Sequence, residues 1–319
     1  MTGVRDHGGG IDAAARRWGG DRADWLDLST GINPVPYPTQ GPGPRDWQAL
    51  PDTAAMARLV QAARRFWRVP DEAGVIAAPG ASALIARMPD LFPGRDAWIP
   101  GPTYNEHAAA FRARGRAVLT EGPQAPVHVH VHPNNPDGRL WDAAFGNAEM
   151  TVIDESFCDT CPDASHIART ARPGTIVLKS FGKFWGLAGL RLGFAIAHPD
   201  TLSPPDAPAL GDLLGPWPVA GPALAIGARA LSDADWAERT RMRLAKDATR
   251  LDTLLTSKGA ALLGGTPLFR LYEVDDAAAW QERLARHRVW SRIFPYSAQW
   301  LRLGLPAPER WGQLVDALS

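Results

Sequence analysis

The sequence predicts an α/β protein: a large domain built on a mostly parallel central sheet, followed by a smaller α/β domain. Two observations lead there. Between Gly74 and His198, short apolar runs at 75–78, 97–99, 117–119, 127–131, 151–153, 175–178 and 193–197 alternate with segments of helical period. Beyond His198 that rhythm stops, and a proline-rich connection at 201–209 leads into a charge-studded helical stretch at 233–257. The second unit then offers strands at 268–273, 289–293 and 300–303 around a helix at 277–287. The first 45 residues are rich in Gly and Pro and hold one plausible helix, 11–18, so they read as an arm laid over something else. The expected division is an arm at 1–45, a large domain at 46–232 and a small domain at 233–319 that the arm joins.

Bulk properties narrow the function. With 319 residues, 45% of them apolar, the chain is long enough for about two domains with real cores. Its 34 Lys and Arg cancel its 34 Asp and Glu, so there is no broad positive field to attract nucleic acid or anionic lipid. The expected partner is a small molecule or a second copy of the chain. No apolar run approaches the roughly 18 residues that span a bilayer, and residues 1–12 hold no stretch resembling a signal peptide, which points to the cytoplasm. Cys158 and Cys161 form a C-x-x-C, in isolation half a zinc site or one redox pair. They are read as reduced thiols, because the pattern just before them accounts for the segment better. His128, His130 and His132 share one face of a strand, but no carboxylate is spaced to join them, and no metal is expected. The 13 tryptophans have no explanation at this level.

In open parallel sheets ligands bind just beyond the carboxyl ends of the strands. The residues that follow each run are therefore the candidates. The run at 175–178 leads into Lys179-Ser180-Phe181-Gly182-Lys183, and on through Gly186, Gly189 and Arg191 to Gly193. A lysine, a glycine-relieved turn and an arginine suit a cofactor pinned at both ends, although a lysine in such a loop is often only a solvated charge. The run at 151–153 leads into Asp154-Glu155-Ser156-Phe157, where Asp154 is otherwise a helix cap or turn acid. The run at 127–131 ends in His132-Pro133-Asn134-Asn135-Pro136-Asp137-Gly138, which is also ordinary turn chemistry. Pro79-Gly80-Ala81-Ser82 precedes a helix whose first N–H groups suit a phosphate. His107, in Pro102-Thr103-Tyr104-Asn105-Glu106-His107, is either a site residue or a surface helix residue.

The segment from Ser180 to Gly193 resembles the S/T-x-x-K-x-x-G-L-A-G-L-R-x-G motif of the class I/II aminotransferase superfamily, and Asp154–Phe157 and Asn135–Gly138 resemble its D-E-x-[YF] and N-P-x-G patterns. The resemblance implies the fold type I of pyridoxal 5'-phosphate (PLP) dependent transferases. By it, Lys183 is the catalytic lysine that holds PLP as a Schiff base, and Asp154, also catalytic, faces the pyridine nitrogen. Asn135 meets the phenolic oxygen, and Ser180, Arg191 and the Gly80-Ala81-Ser82 turn hold the phosphate. His107 takes the ring-stacking position where many relatives have Tyr, and Arg302, in Trp300-Leu301-Arg302-Leu303-Gly304, clamps the substrate α-carboxylate. Two positions depart from the pattern. Gly182 stands where Ser or Thr is common, and Leu50 stands where many relatives have a Tyr that reaches the neighbouring subunit's phosphate.

His7-Gly8-Gly9-Gly10 and Asp27-Leu28-Ser29-Thr30-Gly31-Ile32-Asn33-Pro34 resemble the H-G-G-x…D-x-S-x-x-I-N-P pattern of the threonine-phosphate decarboxylases of cobalamin biosynthesis. That resemblance implies decarboxylation of L-threonine O-3-phosphate to (R)-1-amino-2-propanol O-2-phosphate, with His7 and Asn33 as candidates for the substrate phosphate, and a homodimer. A histidinol-phosphate-type aminotransferase shares every cofactor residue and stays open as the alternative, as does a noncatalytic protein of the same fold.

Overall fold

The computed structural model describes residues 7–142 and 148–319. The chain divides into two compact units, a larger one of Tyr37–Asn135 and Leu140–Ala237 and a smaller one of Met1–Pro36, Pro136–Arg139 and Glu238–Ser319. The expected boundaries at 45/46 and 232/233 thus move to 36/37 and 237/238. Aromatic packing explains the shift. Trp185 stacks on Phe181 (5.1 Å) and on Trp236 (5.3 Å), and Tyr37 meets both tryptophans edge-on. Tyr37 and Trp236 therefore belong to the core of the larger unit, where ring pairs add to the area they bury.

The first paired residues, β1 (Leu26–Asp27), lie in the smaller unit. The larger unit is built on a seven-stranded sheet of β2 (Gly74–Ala78), β3 (Ala97–Trp98), β4 (Val118–Leu119), β5 (Val127–Val131), β6 (Met150–Asp154), β7 (Thr175–Ser180) and β8 (Gly193–Ala197). Their order is β2-β8-β7-β6-β5-β3-β4. β5 and β8 are buried at every position, which is why they read as unbroken runs and not as alternation. Only β8 runs against its neighbours; the other pairings are parallel. Gly193, which opens β8, therefore pairs with Ala78 and Ser180, which close β2 and β7. Arg191 is delivered in this way to the same edge as the residues that follow the parallel strands.

Successive strand residues point to opposite faces. Asp154, at the end of β6, takes one face, and Glu155, which continues the ladder through Glu155 N–H to Leu178 C=O (2.9 Å), takes the other. There Lys179 of β7 donates to Glu155 at 2.5 Å, and Ser165 Oγ and His166 N–H donate to the same carboxylate at 2.6 Å. Asp159 lies 3.9 Å from the Lys179 amine and accepts both the Trp67 and Trp185 indole N–H groups. Burial alone would neutralise these groups, but mutual attraction holds the Glu155 carboxyl below its ordinary value and the Lys179 amine above its own. Glu155 titrates lower folded than unfolded, so its contribution is full at neutral pH and is lost as pH falls through the folded value. The tryptophan count has part of its explanation here. Further along, Trp98 packs edge-on against His128 and His130, and Trp141 against His130, so this histidine face is filled with rings.

In the smaller unit β9 (Ala261–Thr266), β10 (Phe269–Glu273), β11 (Val289–Trp290), β12 (Arg292–Phe294) and β13 (Ser297–Gly304) follow. An antiparallel sheet has the order β12-β13-β10-β9, while β1 pairs in parallel with β11. The single strand expected at 289–293 is two short strands broken at Ser291. β9 escaped notice because Ala261, Leu262 and Leu263 are exposed and two glycines follow, which leaves no alternation to read. Among the described residues no helix is long and apolar enough to cross a membrane.

Lys179→Met is expected to destabilise the protein by about 3–5 kcal/mol in urea unfolding, because it strands a buried carboxylate. Adding Glu155→Leu to that variant should restore part of the loss. A single variant as stable as the wild type would show that the network contributes nothing to folding.

Candidate active site

A cavity opens in the larger unit at the edge where β2, β5, β6 and β7 end. Lys183, Asp154, Asn135, Ser180, Arg191, Ala81 and Ser82, all expected site residues, line it. The loop after β7 turns back on itself through Gly186 N–H to Lys183 C=O (3.1 Å) and Leu187 N–H to Phe181 C=O (3.1 Å). Lys183 projects from that turn, and its amine lies 5.4 Å from the Phe157 ring centre. Lys179, four residues earlier, is not an alternative, because it is spent on Glu155.

Asp154 is almost wholly buried and lies at the cavity wall. Its Oδ1 accepts the Ser156 hydroxyl at 2.5 Å and the Ser156 N–H at 3.0 Å, while Oδ2 lies 2.9 Å from His107 Nε2. A carboxylate only accepts, so His107 Nε2 carries the proton of that bond. Burial drives the carboxyl up, yet the His107 bond and charge and the two Ser156 donors outweigh it and keep the group below its ordinary value. Asp154 is thus an anion held ready in a dry wall.

His107 is the point at which the structure corrects the expectation. It does not line the cavity; it is buried behind Asp154 on the helix Asn105–Ala113. Tyr104, the N-cap residue three positions earlier, lines the wall, as does Phe157, and lies edge-on to His107 at 6.2 Å. The start of the helix thus supplies a ring to the cavity from its extended N-cap residue and, from its first turn, a donor to the carboxylate behind it.

The anion end is built by close backbone approach. Gly80 has φ +90°, and a Cβ there would lie 2.5 Å from an Arg191 guanidinium nitrogen. A Cβ on Gly193 would lie 2.4 Å from Ala81 N, so the helix Ala81–Leu91 can start only against a bare strand end. Arg191 itself has φ +50° and donates to Ala188 C=O at 2.9 Å. The first helical N–H groups, Ser82, Ser180 and Arg191 converge as anion donors. Gly182, where a hydroxyl residue was anticipated, packs closely, with a Cβ placed 3.3 Å from Ala188 Cα, and its N–H donates to Ser180 Oγ at 3.2 Å.

In the smaller unit, three motifs meet at Ser29. Asp27 Oδ1 accepts the Ser29 N–H and hydroxyl, Gly9 N–H donates to Ser29 Oγ at 2.7 Å, and Arg302 donates to Ser29 C=O at 2.7 Å. A Cβ on Gly8 would lie 2.4 Å from Ser29 O, and one on Gly304 would lie 2.2 Å from Thr30 O. The amino-terminal segment is therefore fitted to the strand that bears Arg302. The guanidinium also lies over the Phe269 and Phe294 rings at 5.0 and 5.9 Å. His7 is exposed on this segment. Asn33, expected at the substrate phosphate, is buried, and its side-chain oxygen is committed to Val35 N–H (3.0 Å) and Arg243 (2.6 Å). It anchors the turn to the helix Ala234–Thr256.

Sequence reasoning missed Tyr104, Ser156, Ser29 and the Glu155–Lys179–Asp159 group. A signal existed for Lys179, a cation inside a run otherwise apolar, and for Ser156, two residues after an acid as in an Asx turn.

The pattern of the family described as Aminotransferase class I and II matches residues 44–318. A threonine-phosphate decarboxylase from Sinorhizobium sp is 40% identical over 334 residues, 98% of this chain and 97% of that protein. One from Pseudomonas aeruginosa is 38% identical over 336 residues, again 98% and 97% of the two chains. Among solved structures, histidinol-phosphate aminotransferase from Sinorhizobium meliloti in complex with pyridoxal 5'-phosphate superposes with a TM-score of 0.80 at 18% identity, covering 100% of this chain and 96% of that one.

Gly80→Ala should weaken PLP binding at least tenfold, about 1.4 kcal/mol, by displacing the Arg191 guanidinium. Equilibrium dialysis against PLP measures it. An unchanged affinity would remove Arg191 from the phosphate site.

Proposed function

We infer that this chain, which belongs to the class I and II aminotransferases, is a PLP-dependent threonine-phosphate decarboxylase. The carrying observation is the Ser29 cluster. The family's cofactor residues are common to aminotransferases and decarboxylases, whereas the His7-Gly8-Gly9 segment belongs to the decarboxylase pattern and here is fitted backbone to backbone against the support of Arg302.

The cavity residues fit PLP. A cradle that a Cβ at Gly80 would fill stands at one end, a buried anion at the other, and an amine between them in the same wall. When bound, PLP supplies an electrophilic carbon for the substrate amine and a ring that accepts the electron pair released at Cα. Every other part falls to the protein. Asp154 holds a proton on the ring nitrogen, and His107 and Ser156 keep Asp154 ionised while it does so. Arg191, Ser180, Ser82 and the first helical N–H groups would hold the cofactor phosphate, and Asn135 and Tyr104 would hold the ring. Lys183 would hold the cofactor through its amine, and that amine would return a proton to Cα once carbon dioxide has left. Phe157, beneath that amine, keeps water from it. Arg302 takes the α-carboxylate, and His7 is the proposed ligand of the substrate phosphate. The product is (R)-1-amino-2-propanol O-2-phosphate, a building block of cobalamin.

A cytoplasmic homodimer completes the reading. Trp47 and Leu50 are 71% and 67% exposed on the larger unit, in the segment where relatives send a residue to the neighbouring subunit. Exposed apolar side chains of that size favour a protein partner.

Incubation with L-threonine O-3-phosphate, without any keto acid, should release carbon dioxide and aminopropanol phosphate in equal amounts, and Lys183→Ala should release neither. Conversion of the cofactor to its pyridoxamine form without carbon dioxide would move the assignment to an aminotransferase.

A further inference from the structure

We propose that Cys158 and Cys161 are a redox-active dithiol that closes to an intramolecular disulfide, with Cys161 as the attacking thiol and Cys158 as the resolving one. The C-x-x-C spans a 3-10 turn, Cys158–Thr160, closed by Cys161 N–H to Cys158 C=O at 2.9 Å. A hydrogen-bonded turn of this kind keeps its end Cα atoms within about 7 Å, and disulfides span about 4.4–6.8 Å. The Cys158 thiol donates to Cys161 C=O at 3.6 Å, which folds the two ends of the motif together. Both are free in the reduced protein.

The pair is asymmetric in the way that exchange requires. Cys158 is wholly buried and Cys161 is half-buried, so an external reagent meets Cys161 first. Interaction with Cys158 draws the Cys161 pKa down against the opposing effect of burial. Interaction with Cys161 and burial hold the Cys158 thiol up. The Lys179 cation adds to the preference for negative charge at Cys161.

With a small disulfide such as oxidised glutathione as oxidant, the steps balance. The Cys161 thiolate attacks one glutathione sulfur, the glutathione S–S bond breaks, and a glutathione thiolate departs with the proton that Cys161 had lost. Cys158 then attacks the Cys161 sulfur of the mixed disulfide, its proton leaves with the second glutathione, and the Cys158–Cys161 bond forms. Two protein thiols are oxidised and one disulfide is reduced to two thiols. The pair sits beside Phe157 of the cavity wall and Asp159 of the buried network, but the inference stands on thiol geometry and does not depend on the proposed reaction.

The test is made on the PLP-loaded protein. It is exposed to oxidised glutathione and acid-quenched, free thiols are alkylated, and the intact mass is read. The chain has two cysteines, so an internal disulfide has one possible identity. Wild type should lose both alkylatable thiols without gaining glutathione mass. Cys158→Ser should stop at a glutathione adduct on Cys161, with Cys158→Ala giving the same result should the serine variant fail to fold. Cys161→Ser should react about a hundredfold more slowly, since its remaining thiol is buried. Persistence of both wild-type thiols, a stable wild-type glutathione adduct, a disulfide between two chains, or fast reaction of Cys161→Ser would each overturn the proposal.

Discussion

A carboxylate buried without water is among the most costly groups a fold can carry, and Asp154 is kept ionised there by three donors from two residues. Much of the larger unit is arranged around that arrangement. The helix Asn105–Ala113 must present His107 to the back of the carboxylate, which fixes its rotation, while its extended N-cap residue Tyr104 lines the cavity. The turn after β6 must bring Ser156 back onto the residue two before it. The anion end of the cavity imposes a second constraint at Gly80 and Gly193, where helix, strand and arginine meet with no room for a methyl group.

The same local sequence feeds two separate tasks because strand residues alternate faces. Asp154 and Glu155 are adjacent and face opposite ways, while Lys179 lies within β7 and Lys183 in the loop after it; one of each pair faces the cavity and the other enters the buried network. The network is what holds the ends of β6 and β7 in register behind the site, with Glu155 on one strand and Lys179 on the next. Asp159 extends it to the indoles of Trp67 and Trp185, and through Trp185 to the aromatic stack that includes Tyr37 and Trp236. Cofactor chemistry and core stability are thus neighbours in sequence but separated by one sheet thickness.

The strands of the larger unit were legible because burial on both faces leaves runs such as Val127–Val131 and Gly193–Ala197 nearly without polar interruption. The motif residues Lys183, Asp154, Asn135 and Arg191 were legible because each follows such a run. What sequence could not give was direction within a turn. Tyr104 is an extended N-cap residue and His107 lies in the first turn, and only where the helix starts and how it is rotated says which reaches the cavity and which lies behind Asp154. Asn33 shows the same limit. An Asn before Pro suits a phosphate ligand or a turn anchor, and the anchoring bond comes from Arg243, distant in the chain. β9 was invisible because its exposed start and its glycines carry no period.

The account rests on Asp154 as a permanent anion that keeps a proton on the pyridine nitrogen of PLP. The most direct measurement is the nitrogen chemical shift of PLP labelled with nitrogen-15 at the ring, bound to the protein and followed across about pH 6 to 9, a range well above an ordinary carboxyl pKa. The account predicts a protonated nitrogen throughout in the wild type and a largely unprotonated one in Asp154→Asn. An unprotonated ring nitrogen in the wild type would contradict it.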